Sequence, residues 1–249
     1  VSVGEVFLDY PGSPDEAASF LGKNDELHLA FDFAMFFQPW SASRFRDVIR
    51  QWDKACGENW PALALNNHDQ PRSYSKYARG NETDARARVL AALLLTAKGT
   101  PFLYYGEEIV MNDGRIKRSE IRDPVGIRYW PFNSGRDPQR TPMLWAAEAK
   151  GGFTAGTSWL PVNDDADSRS VETQIKDPDS MLSWHRRLIQ LRRNTPALRL
   201  GSFEEWDAGN PDVLGFVREF EGERRVVLLN FSNRSREVRL PGRHEIALS

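Results

Sequence analysis

The chain has 249 residues, which is enough for one large domain or two smaller ones with a sizeable core. Its 33 basic and 35 acidic residues give a formal net charge of −2, so we expect neither nucleic acid nor a membrane surface as a partner. No apolar run reaches the roughly 20 residues that a membrane-spanning helix needs. A single cysteine, Cys56, excludes an intrachain disulfide framework. We interpret it as an inert buried thiol at a helix end.

Strand patterns and helical patterns alternate over residues 1–105. This order predicts parallel strands joined by right-handed crossover helices, and we favour a closed barrel over a doubly wound sheet. The predicted elements, in chain order, are a strand at 1–8, a short helix begun by Ser13 and Pro14 and ended by Gly22, a strand at 27–33, a helix at 43–56, a strand at 63–65, a helix at 83–98 and a strand at 102–105.

The next part of the chain loses this alternation. Residues 112–177 show little periodicity but carry many aromatic side chains, so we predict an ordered loop over the active face. A helix over 180–195 follows, with Asp179 or Ser180 as its cap and Pro196 at its end. The side chains expected on the inner face of this helix are Leu182, Leu188, Ile189 and Leu191.

Near the C-terminus the pattern changes to a period of two. Residues 213–220 and 226–231 flank a Glu-Gly-Glu turn, which predicts a β hairpin. We therefore expect two parts in the chain: residues 1–197 as the α/β part with the long loop, and residues 198–249 as a small antiparallel β domain.

Polar residues follow the apolar run at 63–65, in the sequence NNHDQPR that ends at Arg72. Pro71 prevents the strand from continuing, so these side chains lie at the carboxyl end of a buried strand. In a β/α barrel that rim carries the catalytic side chains. A histidine, a carboxylate and an arginine there can bind a polyhydroxylated, uncharged substrate and stabilise positive charge developing on it. The alternative is a strand-end turn capped by Asp69.

A second carboxylate belongs to the same rim. Glu5 ends the first strand pattern just as Asp69 follows the third, and the carboxyl ends of parallel strands meet at one edge. Two carboxylates flanking a glycosidic bond catalyse glycoside hydrolysis, one of them protonated to assist the leaving group. The residues alone therefore predict an acid and a nucleophile.

Three segments carry a family resemblance: NNHDQPR at 66–72, GTPFLYYGEEIVM at 99–111 and GRDPQRTPMLW at 135–145. In this order they resemble the α-amylase superfamily of retaining α-glucosidases. The last segment is similar to exo-acting α-glucosidases, oligo-1,6-glucosidases and their sucrose-isomerising relatives. The resemblance covers nearly the whole chain. It implies the C-terminal half of a (β/α)8 TIM barrel followed by a small antiparallel β domain.

The resemblance also implies roles for individual residues. Glu5, in VGE, matches the general acid/base. His68 and Asp69 match residues that hold the hydroxyls of the sugar in subsite −1. There Asp69 stabilises the oxocarbenium-like transition state and is not the nucleophile, which corrects the acid and nucleophile pair. Arg140 matches an arginine that lines the active site, and Phe31 is placed like an aromatic wall of the +1 region.

Three further residues lie within these motifs. Arg72 is expected either to contact the substrate or to support the rim through a salt bridge. Glu107 and Glu108 are expected to support the rim.

The nucleophile of the family is missing from this chain. It is an aspartate within a segment resembling GFRxDxxN, and no segment here matches that pattern. The metal-binding loop of some members lies in the same upstream part. We therefore expect no cofactor and assign no metal ligand, and a structural calcium would bind in the absent part. The obvious candidates within the chain are Asp9, Asp32, Asp47 and Asp53, and each lacks an arginine two positions earlier in a strand context.

Four strands make half of a barrel, and a half-barrel exposes two strand edges and an apolar interior. We therefore expect a partner, the N-terminal half of the barrel, in the same polypeptide or as a second chain. Val1 begins within a strand pattern, and Ser249 falls within the expected β domain. We favour a cytoplasmic location, and we keep a periplasmic or secreted one open because a targeting segment could lie upstream.

The activity implied by the resemblance is retaining hydrolysis of terminal glucose from short α-glucosides, α-1,4 or α-1,6 linked, such as maltose, isomaltose or sucrose-like sugars. The isolated chain is expected to be inactive without its N-terminal half. One alternative is a transglycosylase or sucrose isomerase with the same site. The other is an inactive scaffold or binding subunit, like the transporter heavy chains that share the fold.

Expression of the chain by itself tests the half-barrel expectation. We expect self-association, or a companion polypeptide that co-purifies, because the open barrel interior is apolar. Size-exclusion chromatography and intact-mass measurement would detect either. A soluble, folded monomer of 28.4 kDa with no companion would contradict the expectation.

Overall fold

A computed structural model describes residues 1–7, 12–22, 25–31 and 33–249. Leu8, at the end of the first predicted strand, and the aspartates Asp9 and Asp32 lie outside the described residues. The described strands are β1 (Val3–Glu5), β2 (Leu29–Phe31), β3 (Ala62–Leu63), β4 (Thr100–Pro101), β5 (Ser202–Glu205), β6 (Val213–Phe220) and β7 (Glu223–Asn230).

Helices connect these strands. The α-helices are α1 (Pro14–Ala18), α2 (Ala42–Cys56), α3 (Ser73–Tyr77), α4 (Thr83–Thr96), α5 (Pro124–Tyr129), α6 (Ala166–Arg169), α7 (Val171–Gln174), α8 (Met181–Asn194) and α9 (Pro196–Leu200). Short 3-10 helices occupy Ala34–Phe37, Gly80–Glu82, Arg118–Glu120, Asp137–Arg140 and Ala149–Gly152.

The first four strands form a parallel sheet in the order β1-β2-β3-β4, which confirms the predicted succession of strands and crossovers. Glu5 is in register with Phe31, and Phe31 with Ala62, so three strands are aligned at one row. This parallel sheet fits part of the wall of a TIM barrel.

The fourth strand lies earlier than predicted, at 100–101 and not at 102–105. The Phe102 N–H still donates to the Leu63 carbonyl at 2.7 Å. Beyond that point the backbone leaves the sheet, because the Tyr104 N–H binds the Glu107 carboxylate and the chain turns. The apolar run at 102–105 therefore belongs to a turn, where the sequence pattern alone predicts a strand.

Local side-chain chemistry explains where α1 begins and which face α2 buries. Helix α1 begins as predicted, with the Ser13 side chain accepting the Glu16 N–H and Pro14 at the first position. Helix α2 buries the apolar face predicted from its spacing, and Cys56 at its end is buried as expected. The buried apolar side chains of α2 are Phe45, Val48, Ile49 and Trp52.

Helix α8 begins at the Ser180 cap, one of the two predicted caps. Its predicted inner face is wrong at Ile189, which is 43% exposed. Trp184 lies on the inner face instead, where its indole N–H donates to the Arg88 carbonyl on α4 at 3.1 Å. The buried residues of α8 are Met181, Trp184, His185 and Leu188.

Residues 112–177 are ordered, as predicted, and contain α5, α6 and α7 with several 3-10 helices. One small apolar cluster anchors this loop to the rest of the fold, and a second packs within the loop itself. The first cluster consists of Ile109, Met111, Met143, Leu144 and Ala166, and the second of Ile116, Ile121 and Leu160.

The C-terminal sheet has the antiparallel order β5-β6-β7. The predicted hairpin is present, but its second strand begins at Glu223, opposite Phe220. The two-residue turn is formed by Glu221 and Gly222, both with positive φ, which matches the right-handed twist of the strands. Buried residues of β6 belong to the same apolar cluster as α2 and α4, so the sheet packs directly on the helices. The boundary at residues 197 and 198 stays a prediction.

A buried arginine, Arg218, and a partly buried one, Arg192, join this sheet and α8 to the end of α4. Arg192 donates to the carbonyls of Leu95 and Gly99, at 2.9 and 2.6 Å. Arg218 donates to the Thr96 carbonyl at 2.8 Å and to the carbonyls of Gly201 and Ser202 at the start of β5. The last carbonyls of a helix lack partners within the helix and carry partial negative charge. The arginines satisfy them, although burial lowers the pKa of Arg192 to about 10 and of Arg218 to about 9.

Substitution Arg218→Met tests this link. We expect a loss of about 3 kcal/mol in the free energy of unfolding, because three buried carbonyls lose their donors. Arg224→Met is the matched control, since Arg224 is half-exposed and makes only long ion pairs; it should cost less than about 0.5 kcal/mol. Urea titration at neutral pH measures both, and equal losses would contradict the assignment.

Candidate active site

The segment after β3 forms a turn that positions Asp69. The Asn67 side-chain oxygen accepts the N–H groups of Asp69 and Gln70, at 2.9 and 3.0 Å. Such an Asx turn holds the backbone without regular secondary structure. The turn is therefore capped by Asn67 and not by Asp69, the alternative considered above. The Asp69 carboxylate is left to contact other groups.

Two arginines and a histidine surround that carboxylate. Asp69 Oδ1 lies 2.5 Å from Arg140 Nη2 and 3.4 Å from Arg136 Nη1. His68 Nε2 is 3.4 Å from the same oxygen, and the His68 carbonyl accepts Arg140 Nε at 2.9 Å. The structure thus brings together His68, Asp69 and Arg140, as the sequence predicts. The His68 side chain is 54% exposed, so the group is accessible from solvent.

Arg136 is part of this arrangement, although it was not among the predicted site residues. It donates to both carboxylate oxygens of Asp123, through Nε at 2.9 Å and Nη2 at 3.2 Å. Asp123 is buried, caps α5 and has its pKa lowered to about 2 by Arg136. The signal in the sequence is the pair of arginines four residues apart in GRDPQR, which a helical turn brings to one side.

Arg72 is buried, with 1% of its surface exposed. It donates to the carbonyls of Tyr105 and Gln139, at 2.6 and 3.0 Å, and packs against the rings of Tyr104 and Tyr105. Gly106 has a positive φ, and a Cβ there would lie 2.9 Å from the guanidinium. This position fits the rim-supporting alternative, with carbonyls in place of the expected salt bridge. It places Arg72 away from a solvent-borne substrate.

Glu5 and Phe31 lie at the same edge of the sheet. Glu5 is the last residue of β1 and is exposed. Phe31 is the last residue of β2, and its ring packs edge-on against Phe102 with 4.4 Å between centroids. Asp69 follows β3 in the same direction. The predicted acid/base and aromatic wall are therefore at the carboxyl end of the strands, as is the Asp69 cluster.

Two carboxylates lie below the rim. Glu107 accepts hydrogen bonds from Asn66 at 2.6 Å and from Ser73 at 3.3 Å, and burial raises its pKa to about 7. Asp113 accepts the Arg72 N–H at 2.9 Å, and burial raises its pKa as well. Both residues contact the segment that carries Asp69, which agrees with the rim-supporting role expected of Glu107.

The part of the chain that the structure describes contains no cluster of three or more His, Cys, Asp and Glu side chains suited to a metal ion. None of its helices is long and apolar enough to cross a bilayer.

Comparison with known proteins places this site in a family. The profile described as "Alpha amylase, catalytic domain" matches residues 18–201. The chain belongs to the alpha-amylase family. Among its relatives in this family, a probable alpha-glucosidase of Rhizobium meliloti (strain 1021) is 35% identical over 96% of the chain. An oligo-1,6-glucosidase of Parageobacillus thermoglucosidasius is 33% identical over 87% of the chain.

Solved structures of the alpha-amylase family superpose on the same residues. The alpha-glucosyl transfer enzyme XgtA gives a TM-score of 0.85 with 34% identity, over 93% of this chain and 43% of that one. The isomaltulose synthase of Erwinia rhapontici NX5 gives 0.83 with 30% identity, over 96% and 48%. The two curated relatives above are covered over 44% of their length. The chain thus spans about half the length of the relatives it matches.

Substitution Asp123→Asn tests the support of Arg136. Because the folded-state pKa lies below the ordinary value of 3.8, ionised Asp123 stabilises the fold above about pH 4, and this contribution is lost as the pH falls towards 2. We expect Asp123→Asn to lower the free energy of unfolding by about 2 kcal/mol at pH 7. The difference from the wild type should disappear near pH 2. Asparagine retains the helix cap.

The matched control for this measurement is Asp164→Asn, at an exposed aspartate of the same long loop. We expect it to leave the unfolding free energy within about 0.5 kcal/mol of the wild type. Denaturant titrations from pH 2 to pH 7 compare the three proteins. A penalty for Asp123→Asn that does not change with pH would contradict the ion-pair assignment.

Proposed function

We propose that this chain supplies the acid/base and the sugar-binding residues of a retaining α-glucosidase that acts on short α-glucosides. One observation carries the proposal: the Asp69 carboxylate, with His68 and Arg140 around it, lies at the same sheet edge as Glu5. The names of the relatives, α-glucosidase and oligo-1,6-glucosidase, support the substrate class.

In the proposed reaction, Glu5 protonates the leaving oxygen as the glycosidic bond breaks. The nucleophile, an aspartate outside this chain, forms the covalent glycosyl-enzyme intermediate. Glu5 then removes a proton from water, which attacks the same carbon and releases glucose. Asp69 stabilises the positive charge that develops on the sugar ring, while Arg140 and His68 hold Asp69 and the hydroxyls in place.

A second candidate is transfer of the glucosyl group to another sugar at the same site. It is supported by the structural relatives, which include an alpha-glucosyl transfer enzyme and isomaltulose synthase. In that reaction a sugar hydroxyl takes the place of water in the second step. Product analysis with sucrose, by chromatography of glucose, fructose and isomeric disaccharides, distinguishes the two candidates. An inactive scaffold of the same fold would release none of these products.

Substitution Glu5→Gln tests the proposal in the enzyme with a complete barrel, formed by this chain and the polypeptide that carries the other strands. We expect kcat/KM for isomaltose to fall at least ~100-fold, since a poor leaving group needs the acid. The loss should be smaller for an aryl α-glucoside, whose leaving group departs without a proton. Glucose release, measured under initial-rate conditions, gives both values.

The matched control for this assay is Glu58→Gln. Glu58 is exposed and precedes β3, at the opposite edge of the sheet, so its substitution should leave both rates unchanged. Wild-type turnover of isomaltose by the Glu5→Gln enzyme would exclude Glu5 as the acid. Hydrolysis by the chain alone would contradict the assignment of the nucleophile to another segment.

A further inference from the structure

Glu107 is a partly buried residue whose carboxylate the proposed reaction does not use. All of its hydrogen bonds are donated to it: the Asn66 amide at 2.6 Å, the Ser73 hydroxyl at 3.3 Å and the Tyr104 N–H at 2.9 Å. Three donors on two oxygens satisfy an ionised carboxylate. A protonated carboxyl carries a hydrogen on one oxygen, and that oxygen then competes with one of the donors.

The strongest of these contacts reaches the loop that carries the Asp69 cluster. Asn66 is 2% exposed and precedes Asn67, the residue whose side chain forms the turn under Asp69. Ser73 follows Arg72 at the other end of the same segment. Glu107 therefore holds residues 66–73 from both ends, and the Asp69 turn lies between the two contacts.

The space beside Glu107 is small. Glu107 lines a cavity of about 20 Å³, which has room for about one water molecule, together with Arg72, Tyr74 and His185. Helix α4 contributes apolar side chains to the same cavity. A sugar cannot reach the carboxylate through such a space, so the role of Glu107 is not a substrate contact.

The charged and titratable neighbours of Glu107 come from three elements. Arg72 is the cation beside it. Tyr74 of α3 binds Asp84 and Arg169 through its hydroxyl, and its pKa is raised to about 12. From α8, the His185 ring hydrogen-bonds the Met181 carbonyl, and burial lowers its pKa. On its own segment, burial raises the pKa of Tyr104. Asp113 accepts a hydrogen bond from the backbone N–H of Arg72.

We propose that Glu107 is a positioning residue, and that its ionised form holds the Asn66–Asp69 turn in the conformation that binds sugar. The proposal rests on the proposed function for its effect on activity. Because burial raises the pKa of this carboxyl to about 7, Glu107 changes its protonation state near neutral pH. The hydrogen bonds that support the turn change with it. Above pH 7 the ionised carboxylate accepts hydrogen bonds from all three donors. Below pH 7 the protonated oxygen no longer accepts from one of them.

The pH profile of kcat/KM for an aryl α-glucoside, measured from pH 5 to pH 9 on the enzyme with a complete barrel, tests this proposal. In the wild type we expect kcat/KM to fall about tenfold below an apparent pKa near 7, the effect of losing one hydrogen bond to a charged group. Glu107→Gln mimics the protonated form. It should remain near the low-pH value of the wild type, with no transition near pH 7.

Three controls identify the group that titrates. Glu108→Gln removes a charge from the adjacent residue, and Asp113→Asn removes the other buried carboxylate of the region; both should retain the transition. Asn66→Ala removes the contact through which Glu107 acts, so it should lose the transition while Glu107 is intact. It also decides the matter if Glu107→Gln fails to fold. A transition that persists in Glu107→Gln or Asn66→Ala, or that is lost in Asp113→Asn, would overturn the proposal.

Hydrogen–deuterium exchange separates this proposal from the proposed function, because it does not require activity. After correction for intrinsic rates, the amides of residues 66–70 should become more protected as the pH rises through 7 in the wild type. They should show no such change in Glu107→Gln. Absence of glucosidase activity at every pH would refute the proposed function alone. Unchanged protection across pH 7 in the wild type would refute the role of Glu107.

Discussion

The buried guanidinium of Arg72 connects the three segments from which the site is built. Arg72 ends the first segment, 66–72, just after the Asp69 turn. Its guanidinium donates to the Tyr105 carbonyl in the second segment, 99–111, and to the Gln139 carbonyl in the third, 135–145. A buried charge is costly unless polar groups surround it, so these carbonyls must stay in place for the fold to tolerate the arginine. The contacts that satisfy this one charge therefore link the three segments to one another.

The same kind of contact recurs where other parts of the chain meet. Arg192 and Arg218 donate to the carbonyls at the end of α4 and so attach α8 and the antiparallel sheet. At the rim, Arg136 is held by buried Asp123 and extends towards Asp69. Guanidinium groups suit these positions because each offers several donors in a fixed plane. In the scaffold the arginines bind backbone carbonyls, whereas at the exposed site they bind carboxylates.

Burial divides the carboxylates of the site into two groups. Asp69 and Glu5 lie at the accessible edge, where a sugar can reach them, and Asp69 is compensated by arginines. Glu107 and Asp113 lie beneath, where desolvation raises the pKa. The lower pair contacts the segment that carries Asp69. In the role proposed for Glu107, protonation below the rim changes the conformation of that segment.

The sequence by itself determined the parallel succession of strands and the helix cap at Ser13, because each follows from local pattern, and it narrowed the cap of α8 to Asp179 or Ser180. The family resemblance of the motifs indicated the grouping of His68, Asp69 and Arg140. Only the tertiary structure decided the rest. The run at 102–105 reads as a strand until the Glu107 carboxylate turns it. Ile189 has helical spacing, yet Trp184 takes the inner face. Burial of Arg72 and the role of Arg136 depend on carbonyls and carboxylates from distant segments, and periodicity along one segment carries no information about those partners.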